Sequence, residues 1–583
     1  MQISVLSQRF APRSAIGAQG LPRQMWFDAV AFAIVISFFV FISWGMSEMA
    51  APIAKLKQTT ISLGIDNLPR YAMRTTLRML LAVVASLIFT LCYATLAAKS
   101  RKAGQILIPI LDILQSVPVL GYISFTVTGF IALFPRSMMG VECAAIFAIF
   151  TSQAWNMTFS LYQSLLTVPK DMSEAAFVFK LSGWQKFWKM ELPYAMPGLI
   201  WNTMMSMSGG WFFVVASEAI TVGNRHIMLP GIGSYIALAI EYKDMHAIAY
   251  AILTMTIVIL LYDQLLFRPL VAWSDKFRYE LTAGQDIPRS WVLTLFVKSR
   301  LRRILFRPVG WLSHFTLRIR LFQQTGKSLQ LTENEAKLFD YLWYGLLALV
   351  GLTALRHVAV FLVTSVEWSD ITQVAFLACV TLLRVIVLII AASLVWVPLG
   401  VYIGLRPKAA ELIQPLAQFL AAFPANLLFP VAVFAISRYQ LDPNIWLSPL
   451  MILGTQWYIV FNVIAGSAAF PNDLREASRN FRVRGWLWWK KVMLPGIFPY
   501  YLTGAITASG GAWNASIVSE VVNWGDQSYK AVGLGAYIAE QTGKGDFAHI
   551  ALGVGTMSLM VVLFNKFFWR PLYTMSARKL RFD

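Results

Sequence analysis

Long apolar runs dominate the chain and arrive at regular intervals. A helix that crosses a bilayer needs about 20 predominantly apolar residues. Six such runs precede residue 270, at roughly 26–46, 76–98, 105–134, 141–163, 195–222 and 246–268. Six more follow, at roughly 339–363, 379–404, 410–437, 445–468, 497–522 and 547–569. The third run of each set carries two prolines, Pro109 and Pro118 in one and Pro415 and Pro424 in the other. Proline lacks a backbone donor and crowds the preceding turn, so a broken or kinked helix is expected there. The pattern predicts an all-α membrane protein of about 12 transmembrane helices in two six-helix halves.

The polar stretches between the runs add an orientation. Lys and Arg fall mostly in alternate loops, the signature of cytoplasmic segments. Arg9, Arg13 and Arg23, the Lys99–Lys102 stretch, Arg406 with Lys408, and the tail at Arg578–Arg581 are placed inside, with both termini cytoplasmic. Lys55, Lys57, Arg70 and Arg74 in the outer loop run against this trend. The first 25 residues have no apolar core, and the run that follows lacks a small-residue cleavage site, so no cleavable signal is expected. Of the 583 residues, 57% are hydrophobic and 13% charged, against roughly a quarter charged in soluble domains. A net charge of +20 raises the question of nucleic acid, but alternation of the charge between apolar runs answers it as membrane topology. Cys92, Cys143 and Cys379 form no CxxC pair and read as small buried hydrophobes rather than ligands; no metal site is expected. His357, beside Arg356 deep in an apolar run, reads as a bundle contact.

Two loops carry nearly the same string. "SEAAFVFKLSGWQKFWKMELP" runs from Ser173 to Pro193 and "REASRNFRVRGWLWWKKVMLP" from Arg475 to Pro495, identical at eight of 21 positions. The same offset of 302 pairs Trp211 with Trp513, Ser217-Glu218 with Ser519-Glu520, and Gly231, Gly233 and Tyr235 with Gly533, Gly535 and Tyr537. It also pairs Arg268-Pro269-Leu270 with Arg570-Pro571-Leu572, while upstream the offset becomes 306. A register held over so many unusual residues marks a fused duplication. An even number of spans keeps both halves the same way up, so they should be related by a pseudo-twofold axis along the membrane normal with a pathway between them. The first half takes 1–270, a cytoplasmic basic amphipathic linker 271–338, and the second half 339–583. Between Pro288 and Thr332 the linker carries nine Lys and Arg and no acid, interleaved with residues such as Trp291, Leu295 and Phe296. That composition suits a segment lying on the lipid of the cytoplasmic leaflet; a plain charged linker is the alternative.

The repeated loop has its own physical logic. Ser173 can cap a helix, Glu174 suits the positive helix end, and Ala175 and Ala176 let a partner surface come close. Leu192-Pro193 is expected to stop the loop and start the next span. These residues resemble the EAA loop of permease subunits in binding-protein-dependent ABC importers. The match is Glu174-Ala175-Ala176, Gly183 and Leu192-Pro193 in one half, and Glu476-Ala477-Ser478, Gly485 and Leu494-Pro495 in the other. The family's glycine usually stands six residues after the Glu, where this chain has Lys180 and Arg482, so a turn displaced to Gly183 and Gly485 is expected. The resemblance covers about 70–270 and 376–572. It implies a type I importer permease fold in a bacterial inner membrane. It also implies two ABC ATPase subunits on the two loops and an extracytoplasmic substrate-binding protein. ATP and Mg would then be handled by the partner, with no cofactor in this chain. "TGKS" at 325–328 does not change this, because the first glycine of a phosphate loop would be Leu321.

"DILQSVPVLGYISF" at 112–125 and the GIG and GLG triplets at 231–233 and 533–535 resemble the nitrate/sulfonate/taurine branch of these permeases. That likeness implies a small anion as substrate. Glu218 and Glu520, near the outer ends of span five, would repel an anion, so a gate or packing role is expected, with hydrogen bonds to Ser217 and Ser519. Trp211, Trp513 and Asn514 are candidates for lining the passage, against interhelical packing; Asp112 is equally ambiguous. A secondary active transporter also has two six-helix halves. The doubled loop and the scarcity of charge within the spans speak against it.

Overall fold

The computed structural model describes residues 21–49, 61–134, 137–222, 225–277, 290–299 and 333–579. Arg9, Arg13, Lys55, Lys57, Arg581, the 325–328 string and most of the basic linker lie outside the described residues. The first half runs α1 (Leu21–Met49), α2 (Leu68–Lys99), α3 (Arg101–Ser116), α4 (Val119–Leu133), α5 (Met139–Leu166), α6 (Lys170–Val178), α7 (Gly183–Lys186) and α8 (Leu192–Glu218). A hairpin, β1 (Ala219–Val222) and β2 (Arg225–Met228), precedes α9 (Ile232–Glu241), α10 (Met245–Tyr262) and α11 (Arg268–Ser274). After α12 (Trp291–Lys298) the order repeats with α13 (Glu333–Ser365), α14 (Trp368–Gly404), α15 (Pro407–Ala422) and α16 (Phe429–Tyr439). Then come α17 (Pro443–Trp446), α18 (Leu450–Leu453), α19 (Gln456–Ala468), α20 (Asn472–Asn480), α21 (Gly485–Trp488) and α22 (Leu494–Ser519). The hairpin β3 (Val521–Trp524) and β4 (Gln527–Lys530) leads to α23 (Leu534–Lys544), α24 (Phe547–Phe564) and α25 (Arg570–Lys579).

Among the described residues six helices are long and apolar enough to cross a membrane, or up to eight if each bent pair is one span. The twelve expected spans are therefore not reached on that criterion. Helices α5 and α8, at 28 and 27 residues, fall short by composition and not by length. They pack on each other and on α2, and such positions tolerate the Ser, Thr, Gln and Gly that lower their hydropathy. The two antiparallel hairpins also amend the all-α expectation. Helix α13 stands outside the bundle. His357 is exposed there, its Nδ1 2.8 Å from the Thr353 carbonyl, so it is not a bundle contact. Cys92 and Cys379 likewise face outward and are not core residues.

The third span breaks in both halves, at the second proline of each pair. Val117 and Phe423, which precede Pro118 and Pro424, are extended (φ −78°, ψ 126° and φ −70°, ψ 128°), as the proline ring demands of its predecessor. Pro109 stays inside α3, and the bend in the second half reaches 82°. The break sends each outer segment across to the other half. Val119, Leu120, Ile123 and Val127 of α4 join a core built mainly from α14, α22, α23 and α24. Leu427, Phe429, Val433 and Ile436 join the core of α2, α8, α9 and α10. The hairpins cross as well: Gly525 N donates to Ile240 O at 3.1 Å.

Because each half completes its core with a helix from the other, a chain cut between residues 299 and 333 and expressed as two polypeptides should reassemble. Co-purification of the untagged half with the tagged one tests this, and Asn514→Leu combined with Asn426→Leu at the crossing contacts should weaken it.

Candidate functional site

The repeated loops form two knobs. Glu174 and Ala175 on α6 are exposed, and Ala176 is buried at the loop base; on α20, Glu476 is exposed and Ser478 buried. Ser173 lies inside α6 and caps nothing: the helix begins at Lys170, after Pro169. The cap is at Ser182, whose Oγ accepts from Gln185 N at 3.3 Å while Gln185 Oε1 accepts from Ser182 N at 3.1 Å. The turn stays at the non-glycine positions, although Gly485 also takes a φ of 60°. Lys180 and Arg482 themselves take φ of 49° and 54°. Lys180 N bonds Phe177 O at 2.9 Å and Leu181 N bonds Ala176 O at 3.0 Å; Arg482 and Val483 repeat this on Arg479 and Ser478. This is the paired C-terminal lock that normally places glycine in the left-handed position.

Phe177, Val178 and Phe179 are 77%, 74% and 75% exposed, and Phe481 and Trp486 are 82% and 75% exposed. Apolar clusters presented this openly on a polar helical loop mark a docking surface. The two tips differ: at the 302 offset Phe177 and Val178 become Arg479 and Asn480, and Arg475 and Arg484 replace Ser173 and Ser182.

Each knob runs into its span without a stop. A π-helical turn, Phe187–Glu191, joins α7 to α8, and Trp489–Met493 joins α21 to α22. Two more, Asp263–Phe267 and Asn565–Trp569, end spans α10 and α24. All four directly precede the repeated Leu-Pro or Arg-Pro. Proline cannot bond to the carbonyl four residues back and would collide with it. A widened turn removes the clash and keeps the helix continuous, so Leu-Pro carries the helix on where a stop was expected. In the first half Lys99 Nζ also holds both oxygens of Glu191 at 2.5 Å, fastening this turn to the end of α2.

At the opposite end of the bundle, Glu218 and Glu520 are buried. They bond elsewhere than to Ser217 and Ser519. Ser217 donates to Val214 O at 3.0 Å. Glu218 Oε1 accepts from Arg78 Nη1 and Thr75 Oγ1, both at 2.6 Å, and Oε2 accepts from Gly233 N at 2.7 Å. Arg78 is fully buried and also grips Glu142 through Nε and Nη2 at 2.6 and 2.8 Å. In the second half Glu520 accepts from Arg384 at 2.5 Å, Thr381 at 3.0 Å and Ala536 N at 3.0 Å. At offset 302 Asn444 replaces Glu142, and it accepts from Val532 N at 2.8 Å. The GIG and GLG triplets are explained by this node. A Cβ on Gly231 or Gly533 would collide with the carboxylate, and one on Gly233 or Gly535 would strike span-five backbone. Arg78 and Arg384, with Thr75 and Thr381, went unnoticed in the sequence, although they recur at offset 306 as a Thr-x-x-Arg motif inside an apolar run.

Trp211 and Trp513 are 2% and 1% exposed and packed in the two cores; Trp211 meets Tyr262 edge-on at 5.6 Å and also borders a cavity of about 410 Å³ with Ser208, Gln418 and Phe419. Asn514 Oδ1 accepts from Val119 N at 2.9 Å, across to the first half. Its counterpart contact inverts the roles, with Asn426 Nδ2 donating to Phe212 O at 3.1 Å.

A membrane bundle built twice, with paired exposed knobs at one end and paired buried carboxylate nodes at the other, is a duplicated two-half membrane component. The chain belongs to the family of the binding-protein-dependent transport system inner membrane component, whose model matches residues 86–268 and 396–580, more than half the chain. Similar proteins include the bicarbonate transport system permease protein CmpB of Synechococcus elongatus, 27% identical over 30% of this chain and 60% of that protein. The nitrate import permease protein NrtB of Leptolyngbya laminosa is 25% identical over 32% of this chain and 63% of its own length. The glycine betaine/proline betaine transport system permease protein ProW of Escherichia coli is 28% identical over 34% and 54%. The chain thus spans about three fifths of the length of the first two of these relatives.

Two outcomes follow for stability. Arg78→Leu leaves Glu218 and Glu142 unpaired in the interior, a loss of about 3–5 kcal/mol, whereas Arg78→Lys retains the charge and part of the bonding. Thermal unfolding of the detergent-solubilised protein should fall sharply for the first and moderately for the second. Lys180→Gly and Arg482→Gly should each raise stability by about 1 kcal/mol, since a side chain there opposes the left-handed turn, and Lys180→Val should lower it.

Proposed function

We propose that the chain is the transmembrane permease of an ATP-driven importer, carrying a small anion between its two halves. The observation that carries this is the pair of knobs, equivalent by duplication, exposed and apolar at their tips, and each continuous through a π turn with a span-five helix. A helix that docks on a partner and runs unbroken into the bundle moves the bundle when the partner moves. Two knobs take two ATPase subunits, which bind and hydrolyse ATP with Mg; this chain supplies no cofactor. The hairpin end, opposite the knobs, faces an extracytoplasmic binding protein. The arrangement is that of a type I importer in a bacterial inner membrane, with about twelve spans and cytoplasmic termini. The halves take residues 1–270 and 339–583, and the basic 271–338 linker lies between them on the inner leaflet. A secondary active transporter would have no use for the doubled knob.

The relatives' printed substrates, bicarbonate and nitrate, support a small oxyanion, and the betaine of ProW is the competitor to test against them. Extraction from native membranes should yield one copy of this chain with two ATP-hydrolysing subunits. Glu174→Arg or Glu476→Arg should leave the protein folded and ATP hydrolysis present while cutting binding-protein-dependent uptake about tenfold or more. Normal uptake in both variants, or a lone chain driven by an ion gradient, overturns the proposal.

A further inference from the structure

The duplication makes two equivalent seams between the halves, and the structure treats them differently. On α8 the inward stripe is Trp201, Met205, Gly209 and Phe212; at offset 302 the α22 stripe is Thr503, Thr507, Gly511 and Asn514. Spacings of three and four place each set on one helix face.

The α8 stripe is apolar and, beyond the exposed Trp201, closed by the second half. Met205 packs on the cluster of Val460, Phe461 and Ile464, and Phe212 meets Phe429 edge-on at 6.5 Å. The hydroxyl of Tyr458 lies 3.7 Å from where a Cβ on Gly209 would be. The α22 stripe points the equivalent way, into the first half, as the Asn514–Val119 bond shows. Here Thr503 and Thr507 are exposed, while a Cβ on Gly511 would strike Thr455 of the same half and nothing from the first half. The residue that replaces Tyr458 at this seam is the shorter Asn156, which is exposed too. That register is supported by neighbouring pairs: Asn202 bonds Ser160, and their equivalents Gly504 and Asn462 are also in contact.

We infer that the anion passes along the second seam alone, between α22 and α5, hydrogen-bonded by Thr503, Thr507, Asn156 and Asn514. This deepens the import reading and rests on it. Both threonine hydroxyls bond to the carbonyl four residues back, Pro499 and Thr503, and can rotate to donate to an anion. Neither α22 nor α5 beyond Glu142 carries a charge. Neutral donors replace hydration without a fixed charge that would trap the ion, which is the balance conduction requires. The first seam, filled by Tyr458 and Met205, is a packed hinge.

The test uses the full complex in vesicles, with Cys92, Cys143 and Cys379 replaced by Ser. Single Thr503→Cys, Thr507→Cys, Asn156→Cys and Met205→Cys variants are exposed to a sulfonate-bearing methanethiosulfonate, and the mass shift is followed in time. The first three should label, with Thr507→Cys at least about tenfold faster than Met205→Cys, and nitrate or bicarbonate should slow them. Separately, Thr507→Val should reduce uptake about tenfold, the cost of one unmade hydrogen bond, while Met205→Leu should not. Equal labelling at both seams, or faster labelling of Met205→Cys, overturns the inference. If the wild-type complex imports none of the anions under ATP, the import reading fails, and the labelling contrast still reports which seam is open.

Discussion

A guanidinium buried in an apolar bundle must be neutralised where it stands, and this requirement organises the hairpin end of the molecule. Arg78 cannot lose its charge or reach water, so the chain brings Glu218 and Glu142 to it. Those three residues lie on α2, α8 and α5, and Thr75 adds the start of α9 by accepting from Ile232 N at 3.0 Å. One cation therefore fixes four elements at a single point. The second half repeats the device with Arg384, using one carboxylate and the Val532 carbonyl in place of two carboxylates. The glycines beside each node exist because a carboxylate occupies the space that a side chain would need.

Proline governs the remaining geometry in two ways. Within the third spans it breaks the helix and sends its outer segment into the opposite half, so neither core is complete alone. At the ends of spans five and six it is accommodated by a π turn, and the helix continues. The same residue type thus divides the bundle where the halves interlock and keeps the helix continuous where each knob joins its span. The difference lies in the neighbouring turns: a residue already extended before Pro118 or Pro424, against five residues able to widen before the Leu-Pro and Arg-Pro pairs.

The duplicated halves have diverged in charge while keeping their backbone path. Lys99–Glu191 fastens the first knob to α2; at the same places the second half has Leu405 and Met493, with Met493 wholly buried. The knob tips and the two seams are unequal as well. A fused chain permits this, because each half faces only its one partner half, and residues can specialise without having to serve both sides of a symmetric pair.

The sequence by itself determined that this is a twice-built membrane protein with two equivalent loop motifs, because apolar run length and a constant offset are linear properties. It also marked Glu218, Glu520 and the glycine triplets as a set, since they recur together. Their partners were decided only by tertiary structure. Arg78 and Glu142 are 64 residues apart and Arg78 and Glu218 140 apart, and nothing local in an apolar run says which charge will meet which. The span count is a related case: helices surrounded by protein are released from the apolar composition that lipid imposes, so hydropathy separates α5 and α8 poorly from other buried helices. Lys180 and Arg482 hold a glycine's conformation because the paired backbone bonds that close each knob's first helix require it, and those bonds exist only once the helix has formed and turned.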